Sequence, residues 1–416
     1  MMQFRFRTNQ YSFFSMGKSK LPLWEVLLLI FFAFYYLLPA VTEAVPFMVA
    51  LAVAVVYLLL LFIKGDASRL AVPLFLTGVA WISLLFLLLT DTQSISQSVE
   101  NYTVKVYFSK INQMLFSFFP IFMLHRLVTG ANKTQLRLCF WLLVAIVGYV
   151  IVNTTIELLV NEDATRSWAN FEEQAENNVG TYAYVYAVPM IITALVSQCM
   201  RRQKMWQKLL IIALIAFLFL FLTLAQYTLA LLISCAGVAL QLNFSIRKTA
   251  YKVLLWLFFA VLLLFLPNIL RFLAENIQSE QMQDRLTELA AFFDSGDTSG
   301  YNFNGRLTRY IETIKAFFRS PIWGNRSLPL DGHATFLTLP ADVGLLGAIP
   351  FFAIIHWCVN RMKSLLPYVR KEFIPLVVCY VLMGLTNPIH SALPLSIAMW
   401  LVAPLILFYG VKTNET

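Results

Sequence analysis

A polytopic, all-α membrane bundle of about 12 transmembrane helices is the fold this sequence predicts. Three observations predict it. The chain has 416 residues, of which 59% are hydrophobic and only 13% charged, whereas a soluble chain of this length carries far more charge. Apolar runs of about 20 residues recur from Leu21 to Val411, each long enough to cross a hydrocarbon core. These runs are continuous and do not alternate, which excludes the pattern of a transmembrane β-barrel.

The spans fall in order near 21–41, 44–63, 70–90, 107–127, 138–160, 181–199, 208–225, 227–244, 253–273, 342–360, 372–389 and 392–411. The first follows a basic leader, MMQFRFRTNQYSFFSMGKSK, and has no small-residue cleavage site at its end. It reads as a retained helix, not a cleaved signal peptide. The whole chain, 1–416, reads as one integral membrane domain, interrupted by one large loop at 274–341. Cys139, Cys199, Cys235, Cys358 and Cys379 all lie in or beside apolar runs, with no CxxC pair. They are expected to pack as small hydrophobes.

Charge sets the orientation. With both termini cytoplasmic, most of the 31 basic residues fall on inner segments, as the positive-inside rule requires. Most of the 22 acidic residues fall outside. The net charge of +9 therefore belongs to the cytoplasmic face and to anionic membrane lipids, and it is no sign of nucleic acid. The 274–341 loop breaks the trend. It lies outside yet holds Arg306, Arg309, Lys315, Arg319 and Arg326, and a cationic cluster placed against topology points to a ligand.

Two amphipathic helices are expected in that loop. Met282, Leu286, Leu289 and Phe293 share one helical face. The stretch 294–305, with its three glycines, then breaks regular structure. A second helix runs from about Arg306 to Arg319. Leu307, Ile311, Ile314 and Phe318 form an apolar stripe about 60° wide, and Arg306, Arg309, Tyr310 and Thr313 form another roughly 100° around. Two readings of this helix stay open: a solvated helix with surface arginines, or one whose apolar stripe packs on the bundle while its arginines face a cavity. In the second, Arg306 at the helix N-terminus gains from the backbone N–H groups there. Guanidinium forks suit phosphate. His333, in Asp331-Gly332-His333-Ala334-Thr335, can move a proton near neutral pH. His390, in an outer turn, is a candidate for the same cavity, while His125 and His356 sit near inner helix ends and read as structural.

This arrangement resembles the bacterial O-antigen ligase and Wzy-type polysaccharide polymerase superfamily. The matching pieces are Gly305-Arg306, Ser320-Pro321-Ile322-Trp323-Gly324, His333, and Gly344-Leu345-Leu346-Gly347, in the family's order and on the same late outer loop. An earlier family dipeptide, Thr or Ser followed by Arg at an outer hairpin, corresponds to Leu222–Leu229. There the arginine is absent and Gln226 or Tyr227 takes its place. Arg166, the only cation of the 161–180 loop, is the candidate substitute.

The resemblance implies a GT-C-like glycosyltransferase of the plasma membrane, metal-independent, without cofactor, and inverting at the anomeric carbon. It implies donor and acceptor repeat units linked to undecaprenyl pyrophosphate, with His333 as base and Arg306, Arg309 and Arg326 on the pyrophosphate. Tyr310, Gln226, Tyr227, Arg166 and His390 are possible substrate-lining residues, and a chain-length regulator is a possible partner. Two other readings remain: an O-antigen ligase acting on lipid A core, and a lipid-linked oligosaccharide flippase or transporter. Almost no ionisable residue lies at a span centre and no two halves repeat, which weighs against transport.

Overall fold

The computed structural model describes residues 20–63, 113, 116–161, 163–165, 175–202, 204–246, 248–276, 280–295, 301–325, 334–389 and 392–412. Among them every regular element is helical. In chain order these are α1 (Leu23–Leu37), α2 (Pro39–Ala44), α3 (Phe47–Ile63), α4 (Pro120–Gly130) and α5 (Lys133–Val160). Then come α6 (Tyr182–Arg201), α7 (Met205–Leu224), α8 (Thr228–Ser245) and α9 (Thr249–Asn276). The loop helices are α10 (Glu280–Ser295) and α11 (Tyr301–Arg319). The C-terminal part holds α12 (Thr335–Leu365), α13 (Phe373–Thr386), α14 (Leu393–Ile397), a π turn (Ala398–Val402) and α15 (Ala403–Lys412).

Five of these helices, α5, α6, α7, α8 and α12, are long and apolar enough to cross a membrane, and bent α9 makes six if counted as one span. Shorter apolar helices occupy Leu23–Leu37, Phe47–Leu61, Phe373–Thr386 and Leu393–Tyr409. Helices lie at the predicted positions, but five or six of them, rather than twelve, have the length and hydropathy of a crossing, and 70–90 and most of the stretch before Pro120 fall outside the described residues. This is the fold of an all-helical membrane protein.

The bundle is built around α6. Its apolar window is 89% buried, against 17% for α7, so α6 is the central post and α7 a lipid-facing outer wall. Helices α7, α8, α13, α14 and α15 all pack on α6. Small residues allow the closest approach. At Gly237 of α8 an added Cβ would lie 2.7 Å from the Cys379 sulfur of α13 and would also meet the Thr193 hydroxyl of α6. Without a hydrophobic drive between helices in lipid, such close packing is a main source of association.

One end of the bundle is held by polar ties. Glu25 of α1 is buried and pairs with Arg126 of α4 through both oxygens, at 2.6 Å and 3.0 Å. The Tyr57 hydroxyl of α3 donates to the same carboxylate at 2.7 Å. A buried charge is costly unless paired and hydrogen-bonded, and here both conditions are met across three helices. Asn132 and Gln135 form a capping box at the start of α5. The Gln135 side chain also brackets Leu21, accepting from its N–H at 3.1 Å and donating to its carbonyl at 2.8 Å. Cys139, Cys358 and Cys379 are buried free thiols, as expected of small core hydrophobes, while Cys235 is exposed.

The large loop is more helical than the sequence predicts. Helix α9 runs on to Asn276, α11 begins at Tyr301, and α12 begins at Thr335 rather than near 342. The break expected through 294–305 is therefore shorter than expected. Glycine costs a helix roughly 1 kcal/mol but does not forbid it.

Candidate functional site

Helices α9 and α10 pack as an antiparallel pair around Leu270, Ala274, Leu286 and Ala290. The Arg271–Asp294 ion pair bridges them. Helix α11 then packs chiefly on α12, with α10 also in contact.

The early start of α11 changes the setting of its first arginine. Arg306 stands in the second turn, so the free N–H groups of the helix N-terminus lie a turn before it. The anion-binding bonus expected from that terminus is lost. Arg309 lies one turn further on and is exposed. Its Nε donates to the Gly305 carbonyl at 3.0 Å. A Cβ on Gly305 would stand 3.7 Å from the Arg309 Nη2, an ordinary contact, so the guanidinium folds back along the helix close over this residue. Thr313 continues the same face and donates its hydroxyl to the Arg309 carbonyl at 2.8 Å. Tyr310 is half-buried beside them.

The second of the two open readings, with the apolar stripe packed on the bundle, does not hold. Leu307, Ile311, Ile314 and Phe318 are all exposed, and Phe318 reaches 73%. Thr313 at 5% and Ala316 at 2% exposure are the buried positions. The helix therefore turns a face of small and polar residues, Gly305, Thr313, Ala316 and Ser320, toward the protein. The backbone of Arg309 lies on that same face. The physical reason is close approach: small side chains let α11 and its exit turn lie against α12, and large ones would hold them apart.

That exit turn joins two of the motifs directly. Asn325 caps α11 by donating its side-chain amide to the Ala316 carbonyl. Asn325 N–H donates to the Ala341 carbonyl at 2.8 Å, Leu345 N–H to the Pro321 carbonyl at 2.8 Å, and Leu346 N–H to the Ile322 carbonyl at 3.3 Å. Gly324 (φ 79°) and Gly344 (φ 62°) meet at the centre of this contact. Gly344 interrupts α12 with a conformation open only to glycine, and the N–H groups of Leu345 and Leu346 and the Ala341 carbonyl are bonded to the turn instead. The pieces Ser320–Gly324 and Gly344–Gly347, distant in sequence, are thus one structural unit.

Arg326, His333, His390 and Arg166 lie outside the described residues, as does the side chain of Arg306. The described neighbours of the two histidines are tied together. Thr335, two residues after His333, donates through its N–H and hydroxyl to the Asn387 carbonyl, both at 3.3 Å. Its hydroxyl accepts from the Ile389 N–H at 2.9 Å, one residue before His390. Sequence reasoning does not single out Thr335 and Asn387, although the Asn387-Pro388 dipeptide is a recognisable turn signal.

Gln226 and Tyr227 sit in the tight turn joining α7 to α8. Gln226 is buried and adopts φ 57°, which is uncommon for a residue with a side chain. Tyr227 meets Tyr186 edge-on with ring centres 5.8 Å apart, and Tyr186 meets Tyr182 at 5.5 Å. This aromatic corner stands over the start of α6, whereas Arg309 and Tyr310 belong to α11 against α12. Among the described residues no group of three or more His, Cys, Asp or Glu side chains is placed to hold a metal ion.

Fold and site together define an all-helical membrane protein with an amphipathic, cation-bearing helix locked onto one of its spans. Comparison with protein-family models finds no match, and comparison with curated proteins finds no relative.

Proposed function

We propose that the protein is a polysaccharide polymerase of the bacterial plasma membrane. It transfers a glycan from undecaprenyl pyrophosphate onto another lipid-linked repeat unit at the outer face, with both termini cytoplasmic. The observation that carries this reading is the backbone lock between Ser320–Gly324 and Gly344–Leu346. Two motif pieces that point to a glycosyl-transfer site in sequence are in contact, and their contact seats the Arg309-bearing helix against a span. Such seating suits a lipid-linked donor, whose pyrophosphate lies at headgroup level while its chain stays in the bilayer.

In this reading the acceptor sugar hydroxyl attacks the anomeric carbon of the donor. A new glycosidic bond forms, the bond from that carbon to the pyrophosphate breaks, and the configuration inverts. The hydroxyl proton passes to His333. The negative charge that builds on the leaving pyrophosphate is met by Arg306, Arg309 and Arg326, since fixed cations act where charge develops. The ties of Thr335 to Asn387 and Ile389 supply a rigid base next to the histidine-bearing segment.

The test is polymer formation from purified lipid-linked repeat units. Wild type should give a ladder of products in the presence of chelator. His333→Ala should leave single repeat units, since a general base is worth ~10²–10⁴-fold in rate. Arg306→Lys keeps charge but not the planar fork and should stay strongly impaired. Full ladders from His333→Ala would overturn its role as base.

A further inference from the structure

We propose that α11 is an interfacial helix, embedded through its exposed apolar stripe in the lipid layer on the side of the membrane where α12 enters. The stripe comprises Leu307, Ile311, Ile314 and Phe318, and it continues through Ile322 and Trp323, both about half exposed. In water this helix would be inside out, since its apolar face is turned away from the protein and Thr313 and Ala316 are buried instead. An apolar surrounding on the outer side removes the contradiction.

The occupant is lipid, because the stripe is continuous with a lipid-facing surface. Leu345 and Leu346 donate their N–H groups to carbonyls of the exit turn of α11, and both side chains are exposed. Ile349, one turn further along α12, is 60% exposed. The depth also agrees. From Leu345 to Asn360, just before Arg361 and Lys363, α12 has about 16 residues, or roughly 24 Å, most of one hydrocarbon thickness. The lock at Gly344 therefore sits at the boundary of the hydrocarbon. Trp323 beside it lies where tryptophan side chains concentrate in membrane proteins. Lys315 and Arg319, exposed on the flank of the stripe, can extend to lipid phosphates while their stems lie in the apolar layer. The inference does not depend on the polymerase reading, but it sets Arg309 at headgroup depth.

The experiment uses the full chain in nanodiscs loaded at one copy per disc. Phe318→Cys and Glu312→Cys are each labelled with an environment-sensitive nitrobenzoxadiazole probe, and the unsubstituted chain, labelled in parallel, gives the background from native thiols. Doxyl-labelled phosphatidylcholine is the quencher. Quenching at position 318 should exceed that at 312 several-fold, with a shallow doxyl group more effective than one at the bilayer centre. Equal quenching at the two positions overturns the proposal. A blue-shifted, unquenched probe at 318 also overturns it, because the stripe would then be covered by protein rather than lipid.

Discussion

Gly324 and Gly344 stand backbone to backbone, each with a positive φ and each filling the space the other's Cβ would need. A Cβ on Gly324 would lie 2.6 Å from the Gly344 nitrogen and against the Asp342 carbonyl. A Cβ on Gly344 would lie 2.6 Å from the Gly324 nitrogen and against the Ile322 carbonyl. Backbone cannot swing aside as a side-chain tip can. An L-residue at positive φ adds roughly 1–2 kcal/mol of its own. Gly324→Ala and Gly344→Ala should each loosen α11 from α12 and abolish polymer, with the protein still inserted in the membrane. Since both break one contact, the double variant should be little worse than either single one. Protease sensitivity of the loop, together with product ladders, reads this out. Fully additive losses would mean that the two glycines act separately.

Much of the fold is legible in the sequence. Continuous apolar runs mark spans whatever packs around them, because the bilayer demands satisfied backbone in every crossing segment. The helical character of 306–319 is equally plain from Leu307, Ile311, Ile314 and Phe318. The direction of that stripe is not. Periodicity shows that a face seeks an apolar medium, and it does not distinguish a protein core from lipid. Gly305 misleads for a related reason: it reads as a breaker, but it sits inside α11, where Arg309 folds over it. Gly344 misleads in the opposite way, because one glycine in a long apolar run gives no sign that a distant turn will replace its helical bonds.

The Glu25–Arg126–Tyr57 cluster should behave as a unit. Arg126→Met leaves a carboxylate buried without its cation, a change that costs about 3–5 kcal/mol. Removing the carboxylate as well, in Glu25→Gln with Arg126→Met, should recover most of the loss. Tyr57→Phe removes one hydrogen bond to a charged group and should cost about 1.5–3 kcal/mol. Thermal unfolding in detergent, followed by size-exclusion chromatography, orders the four proteins. A wild-type melting profile for Arg126→Met would show that the pair does not hold α1 to α4.

Gly237 is a packing test with opposed terms. Alanine in place of glycine favours a helix by roughly 1 kcal/mol. Against that, its Cβ would crowd the Cys379 sulfur and the Thr193 hydroxyl, which is itself bonded to the Pro189 carbonyl at 2.7 Å. Overpacking of this kind costs about 1–3 kcal/mol, so the clash should win and Gly237→Ala should lower thermal stability. A gain in stability would mean that α6, α8 and α13 have slack at this point. Gly148 is the internal control: nothing lies within 4 Å of its Cβ position, so Gly148→Ala should be neutral or stabilising.

Gly305 and Arg309 give the sharpest link between local geometry and the proposed chemistry. The Arg309 guanidinium folds back over Gly305, with Nε on its carbonyl at 3.0 Å. A methyl group at 305 would make only an ordinary contact with Nη2, at 3.7 Å. Gly305→Ala should therefore keep activity and firm the helix by roughly 0.5–1 kcal/mol. Gly305→Leu fills the groove where the guanidinium lies and should push it off this face. If Arg309 holds the donor pyrophosphate, Gly305→Leu and Arg309→Ala should lose activity to a similar degree, and Arg309→Lys should recover little of it. Gly305→Leu should then show a raised KM for the lipid-linked donor, with the protein at normal abundance and melting temperature. A fully active Gly305→Leu would detach this conformation of Arg309 from catalysis. An inactive Gly305→Ala would place the requirement in the glycine backbone rather than in the room it leaves for arginine.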